Sequence, residues 1–304
     1  MTNQARPPGA PGRLTGPLAA AGVVVLFVGF VLVSKLGLGS ALSPMDLAAV
    51  RFSLAGVLMA PVVLRHRLLG LRIGQDCLLA GSVGLGFALF AYWGLSLAPA
   101  NHGSALIHGT LPLTTALVAG LVAGTRPTHL QAWSLVAVSL GVAAFLVTSL
   151  SRLGGAPLTG DLLLLAASLA WSAYGVLLRR WGTRPFATSA LTAVLSAVVF
   201  LPLYGLLGAG HLGAAPLQEV LRQAVFQGVF IGVGSILVYS TSVAINGASV
   251  TALAASAVPV LTAIGAWLLL DERLAAGETV GLVMVTAGVA LGTISQAKPQ
   301  QGAA

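Results

Sequence analysis

Ten apolar stretches of about twenty residues fill this chain, and they decide the class of fold it can adopt. An α-helix needs about 20 such residues to cross a hydrocarbon core about 30 Å thick. Backbone groups in lipid must be paired within the protein, and the alternation typical of membrane β-strands is absent, so we predict ten helices. The predicted spans cover residues 17–37, 44–64, 77–98, 103–123, 130–150, 161–178, 186–207, 224–245, 249–270 and 279–296.

Composition agrees with a chain whose surface faces lipid. Only 7% of the residues are charged, whereas a soluble domain carries about 25%. The net charge of +8 does not indicate nucleic-acid binding, because the basic residues are dispersed between apolar runs. The apolar run of residues 17–33 exceeds the ~7–15 residues of a signal-peptide core, so it is interpreted as the first span.

The distribution of basic residues predicts the orientation, because cytoplasmic loops are enriched in Lys and Arg. With both termini in the cytoplasm, ten basic residues lie inside and four lie outside. The inner set is Arg6, Arg13, Arg65, Arg67, Arg72, Arg126, Arg179, Arg180, Arg184 and Lys298. The outer set is Lys35, Arg152, Arg222 and Arg273.

An internal repeat divides the chain into two five-helix units, residues 17–150 and 161–296, flanked by tails at 1–16 and 297–304. An odd number of spans makes the second unit enter the membrane from the opposite side, so we predict inverted repeats. Chance recurrence of proline and glycine is the alternative. The matched positions are Pro44 and Pro61 with Pro185 and Pro202, then Pro112, Arg126 and Gly141 with Pro259, Arg273 and Gly288, the last three pairs 147 residues apart.

Several runs resemble the EamA-type transporters of the drug/metabolite transporter superfamily. They are "AAVRFSLAGVLMAP", "NHGSALIHGTLPLTTALVAGLVAG" and "NGASVTALAASAVPVLTAIGAWLLLDERLAAGETVGLVMVTAGVAL". The acidic turn "DERL" at 271–274 fits the pattern, whereas "GTRP" at 124–127 lacks the acidic residue. The resemblance implies ten helices in the cell inner membrane and export or exchange of amino acids, related metabolites or drugs.

His108 is the first candidate for a substrate-binding residue, because polar side chains within a span are rare and commonly functional. Pro112 lacks the N–H that would bond the His108 carbonyl, so we expect a free carbonyl beside the imidazole. The alternative is a kinked packing helix with a hydrogen-bonded histidine.

Aromatic residues deep in the spans form the second candidate group, because tryptophan and tyrosine usually favour the membrane interface. They could line a path for mixed polar and apolar solutes, although packing between helices explains them equally well. Ser256 joins them, because Pro259 frees the carbonyl next to it. The aromatic candidates are Tyr92, Trp93, Trp171, Tyr174 and Tyr239.

Two cations receive mainly structural interpretations. Arg51 lies within the second span and Asp46, five residues away, is poorly phased to pair with it, so a structural role is favoured. Lys35 is expected to extend to the membrane surface. Attraction of a substrate carboxylate is the alternative for Lys35.

Enzyme chemistry has no support in the sequence. It contains no P-loop, no HExxH and no GxSxG, and its single cysteine, Cys77, excludes an internal disulfide. We therefore predict no catalytic residue, metal site or cofactor. The expected function is secondary transport by alternating access, and a non-transporting membrane scaffold or sensor is the alternative. Expected partners are a small solute and the lipid bilayer, with a homodimer left open.

Overall fold

The computed structural model describes residues 14–65, 73–153, 155–182, 185–208, 210 and 212–297. Every regular element in these ranges is helical, and ten helices are long and apolar enough to cross a membrane, which confirms the predicted fold class. The ten spans, α1 to α10, are Thr15–Leu38, Pro44–Arg65, Gly74–Leu97, Ala100–Ala123, His129–Ser151, Gly155–Arg180, Phe186–Leu207, Leu217–Asn246, Val250–Leu270 and Ala276–Thr293.

The predicted tails lie largely outside the described residues, which begin at residue 14 and end at 297. Six of the basic residues used for the orientation also fall outside them. They are Arg6, Arg13, Arg67, Arg72, Arg184 and Lys298. The orientation therefore stays a prediction.

Spans α4 and α9 are each broken into two helices. In α4 the segments are Ala100–Ile107 and Leu111–Ala123, and in α9 the helix Ala248–Ala255 is followed by Val258–Leu270. Each second segment carries proline at its second residue, where a missing N–H costs no helical hydrogen bond. The prediction that the His108 carbonyl is free is wrong. This carbonyl accepts the N–H of Leu111 at 3.4 Å, which closes a turn across the break.

Further irregularities recur at corresponding positions of the two predicted repeats. Gly124 after α4 and Asp271 after α9 both adopt left-handed backbone, with φ of 66° and 52°. Spans α3 and α8 both contain π-helical turns, at Ala80–Gly86 and Ala224–Gly234. Shared caps and π-turns support the internal repeat, while the inverted relation between its halves stays a prediction.

Equivalent spans of the two repeats pack against each other, α2 on α7 and α5 on α10. Small residues form the contacts: a Cβ on Gly141 would lie 2.7 Å from the carbonyl oxygen of Gly281, and one on Gly56 would lie 2.7 Å from the Cβ of Ala197. In lipid, helix association depends on such close packing, because apolar side chains gain little by leaving the hydrocarbon.

Candidate functional site

Six side chains from five helices contact one another in a closed ring within the bundle, here called the central circuit. It joins α1, α2, α3, α4 and α6 through four aromatic rings, one imidazole and one guanidinium. The successive contacts, as ring-centroid or Cζ-to-centroid distances, are Arg51–Phe87 5.6 Å, Phe87–Trp171 4.9 Å, Trp171–Phe27 6.2 Å, Phe27–His108 4.7 Å, His108–Phe30 6.5 Å and Phe30–Arg51 5.9 Å.

Both broken helices pack at the buried cluster that contains Phe27 of the central circuit. His108, which caps the first segment of α4, stacks on the Phe27 ring with an interplanar angle of 25°. Val258, the first residue after the break in α9, belongs to the same buried cluster as Phe27. Discontinuous helices meeting near midplane are a recurrent way to build a solute site, because a break supplies backbone polar groups and a point of bending.

A row of buried polar side chains runs beside the circuit. Tyr92, whose ring lies 5.9 Å from Phe30, donates its hydroxyl hydrogen to Oε1 of Gln227 at 3.0 Å. Gln227 Nε2 donates to Ser34 Oγ at 2.9 Å and to Gln223 Oε1 at 3.3 Å. These amides from α8 therefore connect α1 and α3 through hydrogen bonds that hydrocarbon cannot replace.

Four of the predicted site residues lie together. His108 and Trp171 are members of the circuit, and Tyr92 adjoins it. Tyr239 stacks over Phe27 at 6.4 Å while 40% of its own surface remains exposed. A single location thus unites candidates from four different spans.

The other three predicted site residues lie in different surroundings. Trp93 follows Tyr92 on the same helix but points elsewhere, with 39% of its surface exposed. The Tyr174 hydroxyl is 2.8 Å from Ser189 Oγ, which links α6 to α7. Ser256 stands at the break of α9 and donates to the carbonyl of Leu253 at 2.6 Å.

Arg51 is buried between aromatic rings. Its guanidinium lies over the rings of Phe30 and Phe87, and its Nη1 has no hydrogen-bond partner among the described residues. No ion pair involves Arg51 within the part of the chain that the structure describes. Asp46 instead accepts hydrogen bonds from Ser43 and from the hydroxyl of Tyr204. Nδ1 of His108 is likewise buried and unpartnered.

The end of the bundle where α2, α4, α6, α8 and α10 begin carries most of the acidic residues and is here called the acidic end. There His102 Nδ1 is 2.8 Å from Asp161 Oδ1, and its Nε2 is 3.0 Å from Glu278 Oε1. All three residues are buried, and Ser149 donates to Asp161. His102 belongs to the first predicted repeat and both carboxylates belong to the second, so this cluster fastens one half to the other.

Sequence reasoning missed this cluster because it placed its members at span boundaries. His102 fell just before the predicted fourth span at 103–123, whereas the helix begins at Ala100 and buries it. Glu278 fell just before the predicted span at 279–296, and Asp161 stood at the first residue of 161–178. Both α6 and α10 begin earlier than predicted, at 155 and 276. An ionisable residue flanking each of three spans was the available signal.

Lys35, near the end of α1, also lies at the acidic end. Its Nζ donates to the carbonyls of Leu95 at 2.8 Å and Ala98 at 2.6 Å, where a cation complements the C-terminal end of α3. The predicted extension of Lys35 to the membrane surface stays a prediction. Nearby, Glu272 accepts the N–H of Ala100 at 2.7 Å. Burial raises the pKa of this loop carboxyl, and the positive charge of Lys35 partly offsets that rise.

Ten spanning helices, two of them broken and meeting at a buried polar and aromatic centre, define a multi-pass membrane protein of transporter type. The chain belongs to the EamA-like transporter family, whose model matches it twice, over residues 14–147 and 158–294. This family is part of the drug/metabolite transporter superfamily.

Relatives extend over most of the chain. An uncharacterized protein of Pseudomonas aeruginosa is 35% identical over 210 residues, which are 67% of this chain and 68% of that protein. The uncharacterized transporter YyaM of Bacillus subtilis is 28% identical over 265 residues, 81% of this chain and 83% of that one. A protein of known crystal structure is similar in fold, with a TM-score of 0.60 and 20% identity over 96% of this chain and 100% of that chain.

Proposed function

We propose that this protein is a secondary transporter that exports or exchanges small metabolites, such as amino acids or drugs, by alternating access. The observation that carries the proposal is the convergence of two broken helices, one from each predicted repeat, on the buried cluster that contains Phe27 of the central circuit. A solute bound there contacts both halves, so rocking one half against the other exposes it to each side of the membrane in turn.

The acidic end supplies a closure of the kind that alternating access requires. Ion-pair and hydrogen-bond contacts between His102 and the carboxylates of Asp161 and Glu278 cross from one predicted repeat to the other. They are discrete and separable, unlike a continuous apolar interface. Opening this end separates His102 from those carboxylates, and closing it restores the contacts.

The proposed setting is the cell inner membrane with both termini in the cytoplasm, which places the acidic end outside. It follows from the excess of Lys and Arg assigned to the cytoplasmic loops. The proposal involves a small-molecule substrate and no cofactor, metal or catalytic residue. A homodimer in the bilayer is compatible with it.

Flux through reconstituted vesicles tests the proposal. The purified protein is reconstituted into liposomes, which are then loaded with a panel of radiolabelled amino acids, related metabolites and cationic drugs. Efflux of each solute is compared with efflux from loaded liposomes that contain no protein. At least one solute should leave faster with protein present. Absence of flux across the whole panel would contradict transport and favour a membrane scaffold.

A pair of tryptophan variants locates the site. Trp171→Leu removes a ring from the central circuit, whereas Trp133→Leu removes one that is 68% exposed on the outside of α5. We expect at least a tenfold loss of flux in the first variant and little change in the second. Equal flux in both variants would show that the circuit does not bind the solute.

A further inference from the structure

The guanidinium of Arg51 is a buried positive charge that forms no ion pair with any carboxylate among the described residues. Arg51 is 9% exposed and stands seven residues inside α2, about 10 Å along the helix from its start at 1.5 Å per residue. An arginine cannot lose its proton to avoid the cost of burial, and a charge held within a bilayer is costly. Such a residue is retained in a span when something pairs with it.

The neighbours of Arg51 provide polarisability but no negative charge. Phe30 and Phe87 attract the cation through their ring faces, and this attraction is stronger in a desolvated site than at an exposed one. The neutral hydroxyl of Tyr92 hydrogen-bonds with Arg51 and donates to Gln227, so it supplies an acceptor oxygen but no negative charge. Nη1 keeps two N–H donors without an acceptor among the described residues.

A second buried nitrogen in the central circuit has no hydrogen-bond partner within the described part of the chain. It is Nδ1 of His108, whose ring contacts Phe30, the side chain that Arg51 also contacts. Buried polar atoms are normally paired, and two exceptions around one phenylalanine indicate a ligand with polar groups of its own. The aromatic rings between them suit an apolar or aromatic body.

We propose that Arg51 binds the carboxylate of the transported solute, and that the substrates are small carboxylates with an apolar or aromatic body. This assignment rests on the proposed transport function. A carboxylate matches the fork of the guanidinium and carries the single negative charge that one cation balances. A phosphate would bring nearly two negative charges into an aromatic site with one cation beside it, so it is disfavoured.

The test compares solutes that differ only in the carboxylate. Efflux of phenylalanine and leucine from vesicles is measured beside that of phenylalaninamide and leucinamide, for the wild type, Arg51→Gln and Arg51→Lys. We expect the wild type to favour each carboxylate over its amide by at least tenfold. Arg51→Gln should abolish this preference while still carrying the amide, and Arg51→Lys should restore part of it.

Arg273→Gln is the matched control, because that arginine lies in a loop with its side chain largely exposed. It should keep the preference of the wild type. Equal wild-type flux of acid and amide, or an unchanged preference in Arg51→Gln, would overturn the assignment. Equal loss of acid and amide flux in a folded Arg51→Gln protein would also overturn it, because Arg51 would then serve structure alone.

A binding measurement on the wild type separates this inference from transport itself. A ligand that binds the folded state raises the melting temperature, so the detergent-solubilised protein is heated with phenylalanine, 3-phenylpropionate, phenylalaninamide, inorganic phosphate or chloride. Stabilisation by the two carboxylates alone supports the site even if no flux is found. Stabilisation by phosphate or chloride to the same extent would assign Arg51 to a simple anion instead.

Discussion

The contact between α5 and α10 leaves no room for a side chain at Gly141. A Cβ added there would lie 2.7 Å from the carbonyl oxygen of Gly281, 2.7 Å from Val285 Cγ2 and 3.0 Å from Val285 N. Two of these three atoms belong to the backbone, so a rotamer change cannot relieve the clash. Gly141→Ala must therefore push the helices apart, and overpacking of this kind costs about 1–3 kcal/mol.

Gly175→Ala is the matched control for this substitution. Gly175 lies within α6, and a Cβ there would meet nothing within 4 Å. Alanine gains about 0.5–1 kcal/mol over glycine in a helix interior, because it loses less backbone freedom on folding. The same chemical change should therefore destabilise the protein at position 141 and leave it equal or more stable at 175.

Circular dichroism of the purified protein in detergent measures both effects as thermal unfolding. Each kcal/mol moves the melting temperature by about 2–4 °C in chains of 150–250 residues. We expect Gly141→Ala to melt at least ~2 °C below the wild type and Gly175→Ala to melt at or above it. A Gly141→Ala protein as stable as the wild type would refute the close approach of α5 and α10.

The remaining predictions concern the polar contacts that join helices. His102→Gln leaves two buried carboxylates without their ion-pair partner and should lower the free energy of unfolding by about 3–5 kcal/mol. His129 is exposed, so His129→Gln should have no effect. Equal melting temperatures of the two variants would contradict this prediction. Lys35→Met loses two hydrogen bonds to the last carbonyls of α3 and should cost about 1–3 kcal/mol in a denaturant titration, and an unchanged midpoint would count against those bonds. Asn246→Ala frees the carbonyl of Gly16 and should cost about 1 kcal/mol by the same titration, so a more stable variant would show that α8 is not held to α1 there.

Most of the fold could be predicted from the sequence because the bilayer permits so few structures. Ten runs of spanning length require ten helices once unpaired backbone is excluded from lipid. Pro112 and Pro259 lie beside the two helix breaks, although from the sequence we expected free carbonyls within continuous spans and not breaks. These features depend on the local sequence and not on which helices pack against each other.

The polar contacts between helices could not be predicted in the same way. Arg51 had no visible partner in sequence, and its contact with two phenylalanine rings depends on how α1, α2 and α3 pack. His102 bonds to carboxylates that are 59 and 176 residues away, so the sequence does not show that these three residues meet. The apolar runs predicted which residues lie within spans, and only tertiary packing shows which of them face one another.

Exchange across the membrane tests the central claim most directly. Vesicles containing the protein are loaded with an unlabelled solute that it carries, and entry of the labelled solute is followed with and without that internal load. In alternating access, the internal unlabelled solute binds the inward-facing site and returns it to the outward-facing state, where labelled solute can bind. Internal solute should therefore accelerate entry of the labelled solute. Entry that is indifferent to the internal solute, or that matches empty liposomes, would contradict a site shared alternately between two halves.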